Sequence, residues 1–191
     1  MTLEKRARPI EKRADGGKKV GGYAAVFNSE ADIGGYWKEI IAPGAFSDGV
    51  KADVRALLDH DHGRVIGRTS SGTLRLSEDD KGLAVEIDLP DTTDGRDAAV
   101  LIERGDISGM SFGFIVTHDE WDETGDIPIR TIHKVDLREV SIVAWPAYQD
   151  TTIGMRSLEG IRKEKSTHNF IAATRRISAR KAKQEQRFRN I

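Results

Sequence analysis

The 191-residue chain contains no cysteine, which excludes disulfide bonds, thiolate zinc sites and a cysteine nucleophile. It also lacks any apolar run of about eighteen residues, so the sequence predicts no membrane-spanning helix. The segment Met1-Thr2-Leu3-Glu4-Lys5-Arg6 has no apolar core, and we therefore expect no secretory signal. Hydrophobic residues make up 38% of the chain and charged residues 32%, which is typical of one soluble domain with terminal extensions.

The net charge of −1 hides an uneven distribution along the chain. Residues 1–19 contain seven Lys/Arg and three Asp/Glu, and residues 156–191 contain eleven and three, whereas residues 20–155 contain twelve and twenty-five. We expect a basic disordered arm over 1–19, a folded domain over 20–155, and a basic helical or disordered tail over 156–191. Solvated tails explain this pattern, and so do arms that dock on an acidic surface.

The hydrophobic pattern predicts many short strands around one central helix. Apolar residues alternate with other residues over 83–89, which is the period of a half-buried strand. Thr92 or Thr93 is a candidate N-cap for a helix over 96–104, and Gly105 is a candidate stop. Because strands and helices do not alternate regularly, the pattern favours a mainly β barrel or sandwich over a doubly wound sheet. Further strands are predicted at 20–27, 39–46, 54–58, 65–68, 73–76, 110–116, 129–135 and 137–144.

Two histidines lie in the polar turn Asp59-His60-Asp61-His62-Gly63, which follows an apolar strand. An imidazole in such a position can act as a general base when a second group orients it. The His-x-His spacing also suits a metal ion, but the spacing provides no third ligand. A plain surface turn is the remaining interpretation.

Ser111 lies between two glycines in Gly109-Met110-Ser111-Phe112-Gly113, which matches the Gly-x-Ser-x-Gly pattern of a nucleophile elbow. That motif needs a helix directly after the serine, whereas the residues after Ser111 form a predicted strand. The glycines would let a backbone approach Ser111 closely. A glycine-rich strand in which a serine simply fits explains the same residues.

Glu139 lies in the apolar segment Leu137-Arg138-Glu139-Val140-Ser141-Ile142-Val143-Ala144. A carboxylate in such a strand needs a partner, because burying it unpaired is costly, and an imidazolium would serve. The alternative is an outward-facing glutamate that pairs with Arg138 or a lysine.

Together these segments resemble the prohead maturation serine proteases of tailed bacteriophages, which share a fold with the herpesvirus assembly proteases. The resemblance covers about residues 20–153 and rests on short blocks in a fixed order. The blocks are Glu39-Ile40-Ile41-Ala42-Pro43-Gly44-Ala45-Phe46, then Asp59-His60-Asp61 with Val65-Ile66-Gly67-Arg68, then Ile107-Ser108-Gly109-Met110-Ser111-Phe112-Gly113-Phe114, and last Leu137-Arg138-Glu139-Val140-Ser141-Ile142-Val143 with Pro146-Ala147-Tyr148.

The resemblance implies a mainly β fold of the α+β class, with a closed or partly open β-barrel and flanking helices. It also implies a serine endopeptidase with Ser111 as nucleophile, His60 as base and Glu139 as the third member, and it leaves His62 outside the motif. Backbone amides would bind the oxyanion, with Arg68 as a further candidate. No metal or cofactor is implied.

The resemblance also implies partners and a place of action. The substrates would be the major capsid protein precursor with its scaffold segment, and the chain itself through autoprocessing. The enzyme would act in the host cytoplasm inside the assembling procapsid, where it could form a homo-oligomer. Neither a membrane nor a specific nucleic acid is expected as a partner, and the tail over 156–191 would serve recruitment or self-cleavage.

Two other functions remain open from the residues alone. An esterase could use Ser111 with Asp126 or Asp136 and with His133 or His168. A capsid scaffolding or morphogenesis protein would need no catalytic residue at all.

Overall fold

The computed structural model describes residues 3–9 and 19–144, so the predicted tail over 156–191 lies outside the described residues. Within the described part, the chain forms ten β-strands, one α-helix and a single 3-10 turn over Gly49–Lys51. The elements in chain order are β1 (Glu4–Pro9), β2 (Lys19–Val26), β3 (Ala31–Ile33), β4 (Trp37–Ile41), β5 (Arg55–Leu58), β6 (Asp61–Arg68), β7 (Leu74–Glu78), β8 (Gly82–Asp88), α1 (Thr93–Arg104), β9 (Gly109–Asp122) and β10 (Ile129–Val143).

The described strands form two sheets beside a single α-helix, so the mainly β, α+β prediction is confirmed, whereas the closed barrel and the plural flanking helices are not found in the described residues. In the larger sheet, β9 pairs antiparallel with β10 on one side and with β1 on the other. The other edge of β10 is shared by β4 and β5, both parallel to it. The sheet stays open because β3 and β6, which pair with β4 and β5, do not pair with β1. Strands β2, β8 and β7 form the separate three-stranded sheet.

One hydrophobic core joins the two sheets and α1. Alternate residues of β9 enter it, namely Met110, Phe112 and Phe114, and each is at most 1% exposed. Full burial of such a side chain contributes roughly 1.5–3 kcal/mol. The core residues from the smaller sheet and the helix are Val20, Ala24, Ala25, Leu74, Leu83, Val85, Ile87, Ala98 and Ile102.

The helix α1 begins and ends at the predicted signals. Thr92 is its N-cap, and its hydroxyl accepts a hydrogen bond from the Gly95 amide at 3.3 Å. Gly105 ends the helix with φ of 83°, a left-handed conformation that glycine adopts without strain. No helix in the described ranges combines the length and the apolar character that crossing a membrane requires.

Strand β1 lies within the segment for which the charged composition predicted a disordered arm, so that prediction is wrong for Glu4–Pro9. The Arg6 side chain is buried and bonds Glu39 at 2.6 Å and Glu4 at 2.9 Å, and Arg130 bonds the same two carboxylates. Although burial opposes the charge of Arg6, these carboxylates raise the pKa of its guanidinium above the ordinary value. The segment is ordered because its charges have partners far away in sequence.

Candidate active site

A two-residue hairpin turn, Asp59-His60, presents the His60 imidazole. The turn joins β5 to β6, whose ladder pairs Leu58 with Asp61. Both turn residues have positive φ, 49° at Asp59 and 60° at His60, which is the pattern of a type I′ turn. Glycine or asparagine is the usual choice for such positions, so a histidine there is strained, as residues at functional sites often are. The predicted polar turn is confirmed at Asp59 and His60, whereas Asp61, His62 and Gly63 already belong to β6.

Asp59 attaches this turn to the end of β10. Its backbone amide donates to the Ile142 carbonyl at 2.9 Å. Its side-chain Oδ1 accepts a hydrogen bond from the Ala144 amide at 3.1 Å. The turn that carries His60 is therefore held against the strand that carries Glu139.

A β-bulge in β10 determines which way Glu139 faces. Leu137 pairs with Phe114 and Glu139 pairs with Gly113, so Arg138 is an extra residue that has no ladder partner on β9. The bulge reverses the alternation, so the apolar residues on both sides of it face the core while Glu139 faces away. This explains the irregular apolar pattern of the segment. Glu139 is nevertheless only 3% exposed.

The structure pairs Glu139 with His60. Glu139 Oε1 lies 2.7 Å from His60 Nδ1, and Glu139 Oε2 accepts a hydrogen bond from the Ser141 hydroxyl. The other imidazole nitrogen, His60 Nε2, is buried and has no hydrogen-bond partner within the described part of the chain. One nitrogen is thus held by a carboxylate while the other is available to accept a proton.

Ser111 lies on β9, directly opposite Ser141 of β10 and Ala7 of β1. It is fully buried, and its hydroxyl donates to the Arg6 carbonyl oxygen at 2.7 Å. Opposed residues of antiparallel strands have Cα atoms about 4.5–5.5 Å apart and side chains on one face. Ser111 therefore shares a face with Glu139, which lies two residues along β10 from Ser141, but its hydroxyl does not bond to His60.

Gly113 provides space for the Glu139 carboxylate. A Cβ added at Gly113 would lie 2.4 Å from Glu139 Oε1. Because Ser111 and Gly113 both belong to a continuous strand, the segment is not a strand-to-helix elbow. The second glycine of the Gly-x-Ser-x-Gly pattern therefore leaves room for the Glu139 carboxylate.

Two other candidates from the sequence have different surroundings. His62 is exposed on β6, and the described residues contain no group of three His, Asp or Glu side chains that could hold a metal ion. The Arg68 guanidinium binds Asp53, with Nε lying 2.9 Å from Oδ1. The Arg68 side chain is 45% exposed, so nothing in its contacts favours a role as oxyanion donor.

The three described residues of the esterase alternative do not gather around Ser111. Asp136 precedes Ser141, the ladder partner of Ser111, by five residues, or about 16 Å at roughly 3.3 Å per residue. His133 lies farther along β10, where its Nε2 is 3.4 Å from Glu120 Oε2. Asp126 is exposed, and His168 lies outside the described residues.

Comparison with known proteins points to a single group. A family model described as caudovirus prohead serine protease matches residues 4–165. The prohead protease of Enterobacteria phage HK97 is 32% identical over 158 residues, which are 78% of this chain and 65% of that protein. The prohead protease of Escherichia phage T5 is 35% identical over 105 residues, which are 54% of this chain and 47% of that protein. The chain thus spans less than two thirds of the length of these relatives.

A solved structure agrees with these matches at the level of the fold. The capsid assembly protease of bacteriophage T4 superposes with a TM-score of 0.56 and 12% sequence identity. The match covers 75% of this chain and 98% of that chain. The fold is therefore that of a phage capsid protease.

Proposed function

The chain belongs to the family of caudovirus prohead serine proteases, and on this basis we propose that it is a serine endopeptidase that cuts capsid-protein precursors during prohead maturation. The observation that supports this function best is the buried His60–Glu139 pair, which lies beside the strand that carries Ser111. A buried imidazole with a carboxylate on Nδ1 and an unoccupied Nε2 is the arrangement that activates a serine hydroxyl.

In this proposal Ser111 is the nucleophile and His60 is the base. The Ser111 hydroxyl turns from the Arg6 carbonyl toward His60 Nε2 and loses its proton to that nitrogen as Oγ attacks the scissile carbonyl carbon. His60 then gives the proton to the leaving amine, which frees the new N-terminus of the product. Water repeats the sequence on the acyl-enzyme, releases the carboxylate and restores Ser111.

Glu139 has an electrostatic and orienting role in the same scheme. Its Oε1 accepts the Nδ1–H of His60, which leaves Nε2 unprotonated and ready to act as a base. It also stabilises the imidazolium that forms during the attack. Because Glu139 is buried, solvent screens this interaction less than it would at the surface.

The partners follow from the relatives. The HK97 and T5 proteins are prohead proteases, and the T4 protein is a capsid assembly protease. The substrate proposed here is therefore the major capsid protein precursor with its scaffold segment, together with the chain itself. Processing takes place inside the assembling procapsid in the host cell.

Co-expression with the cognate capsid precursor tests this function. Wild-type chain should convert the precursor to a shorter product by intact mass, and Ser111→Ala should lower the rate by several orders of magnitude. Ser77→Ala, at an exposed serine of β7, is the matched control and should leave processing unchanged. A precursor left intact by the wild-type chain would favour the scaffolding alternative. Cleavage by Ser111→Ala at the wild-type rate would show that Ser111 is not the nucleophile.

A further inference from the structure

The Glu139 carboxylate is held at both of its oxygens. Oε1 is bound to His60 Nδ1, and Oε2 accepts the hydroxyl hydrogen of Ser141. Ser141 is fully buried, and Glu139 is nearly so. A buried carboxylate oxygen without a donor is costly, so Ser141 satisfies a requirement that burial of Glu139 creates.

The position of Ser141 is fixed by the strand rather than by a loop. Residues two apart on a strand share a face, so Glu139 and Ser141 lie side by side on the face that bears the site. In the ladder, Ser141 is paired with Ser111 on one side and with Leu57 on the other. A hydroxyl held by ladders on both sides can fix the orientation of a neighbouring carboxylate more closely than a surface side chain can.

Two serines face each other at this site, and their hydrogen bonds separate their roles. The proton of Ser141 is directed at the acid, whereas that of Ser111 is directed at a backbone carbonyl. The buried Glu139 carboxylate holds the proton of Ser141 more strongly than the neutral Arg6 carbonyl holds that of Ser111. The contacts therefore favour Ser111 for attack and leave Ser141 with a different role.

We infer that Ser141 is a positioning residue for the reaction proposed above: by donating to Oε2 it keeps Oε1 of Glu139 on Nδ1 of His60. The terminal torsion of a glutamate is broad, so without this donor the carboxylate can rotate away from the imidazole. The role rests on the proposed function, because it acts through Glu139 on His60.

The test uses the rate at which diisopropyl fluorophosphate phosphorylates Ser111, since this reaction needs the base but no peptide substrate. Ser141→Ala should lower the second-order rate constant about 10- to 100-fold, the scale of effect expected when a catalytic group is misplaced by about 1 Å. In a Glu139→Ala background the same substitution should change the rate less than about 3-fold, because the group through which Ser141 acts is gone. Ser77→Ala is the control in both backgrounds.

A second measurement follows the hydrogen bond itself. The downfield proton NMR resonance of His60 Nδ1–H should move upfield or broaden in Ser141→Ala, and it should stay unchanged in Ser77→Ala. If Ser141→Ala does not fold, Ser141→Cys, which is similar in size but a weaker donor, should show smaller changes in the same directions.

The outcomes separate this inference from the proposed function. If Ser141→Ala is labelled at Ser111 at the wild-type rate and its His60 resonance is unchanged, the positioning role is overturned and the proposed nucleophile stands. Equal losses in the wild-type and Glu139→Ala backgrounds would also overturn it, since they would indicate a general structural effect. Failure of the wild-type chain to label Ser111 would overturn both.

Discussion

Gly113 provides the space that the Glu139 carboxylate occupies, so Gly113→Ala should displace this carboxylate without replacing any proposed catalytic residue. The new Cβ would lie 2.4 Å from Glu139 Oε1 and 3.1 Å from its Cδ and Cγ, whereas ordinary contact begins at 3.4 Å. The oxygen must therefore withdraw by about 1 Å. That oxygen is bound to His60, and the other is bound to Ser141, so the carboxylate cannot withdraw without weakening a hydrogen bond.

The expected effect on activity is large and the effect on stability is moderate. A displacement of about 1 Å in a catalytic constellation costs about 10²-fold in rate, so precursor cleavage should slow by about that factor. Weakening a hydrogen bond to a charged group costs about 1.5–3 kcal/mol, and replacing a strand glycine by alanine returns about 0.5–1 kcal/mol. The free energy of unfolding should therefore fall by about 0.5–2.5 kcal/mol.

Gly21→Ala is the matched control, because Gly21 also lies within a strand and a Cβ there would meet nothing closer than the Val85 carbonyl oxygen at 3.5 Å. Cleavage rates of the capsid precursor and urea unfolding curves should be measured for both variants. If Gly113→Ala cleaves the precursor at the wild-type rate, the argument that Gly113 makes room for the Glu139 carboxylate bound to His60 is refuted. Equal losses in the two variants would show that the effect does not depend on the carboxylate.

Four further predictions concern single side chains. His60→Ala should abolish precursor cleavage while His62→Ala keeps most of it; equal large losses restored by zinc would instead indicate a metal site. The free energy of unfolding of His60→Gly, from urea unfolding, should exceed that of His60→Ala by about 1 kcal/mol, because glycine adopts φ of 60° without strain. Equal stabilities would argue against a strained turn. Glu139→Gln should retain a small residual cleavage rate, and a wild-type rate would remove Glu139 from the mechanism. Arg130→Ala should lower the free energy of unfolding by about 3–5 kcal/mol because it breaks a buried ion-pair network, whereas Arg75→Ala, at an exposed network, should cost at most about 1 kcal/mol; similar losses would contradict this difference.

Local signals in the sequence were sufficient for most individual elements. The hairpin of β7 and β8 follows from strict alternation, and α1 follows from an N-cap threonine and a C-terminal glycine. The strand after Ser111 was also predictable, because glycines and apolar residues continue where an elbow would need a helix. Each of these signals depends on residues close together in the chain.

The features that sequence could not predict depend on distant partners. The order of β1 comes from the bonds of Arg6 to Glu39 and of Glu4 to Arg130, which composition alone cannot reveal. The open sheet arises because β4 and β5 share one edge of β10, and strand assignments contain no such information. The extra residue of a β-bulge reverses which side of the sheet the following side chains face. This is why the apolar pattern around Arg138 is irregular in the sequence.

The site was predictable in part. A glutamate in an apolar strand needs an ionic partner, and the structure pairs Glu139 with His60. The position of Ser141 beside Glu139 was readable from the period of a strand, since residues two apart share a face. Two hydrogen bonds could not be predicted from the sequence, namely that of the Ser111 hydroxyl to the Arg6 carbonyl and that of the Ala144 amide to Asp59 Oδ1. Each joins segments that meet only in the folded chain.

Peptide mapping after reaction with diisopropyl fluorophosphate would settle which serine His60 activates. The roles derived above predict one phosphorylated residue, Ser111, in the wild-type chain and in His62→Ala, and almost no labelling in His60→Ala. Labelling of Ser141 instead of Ser111, or labelling of Ser111 at the wild-type rate in His60→Ala, would contradict the assignment of Ser111 as nucleophile and His60 as base.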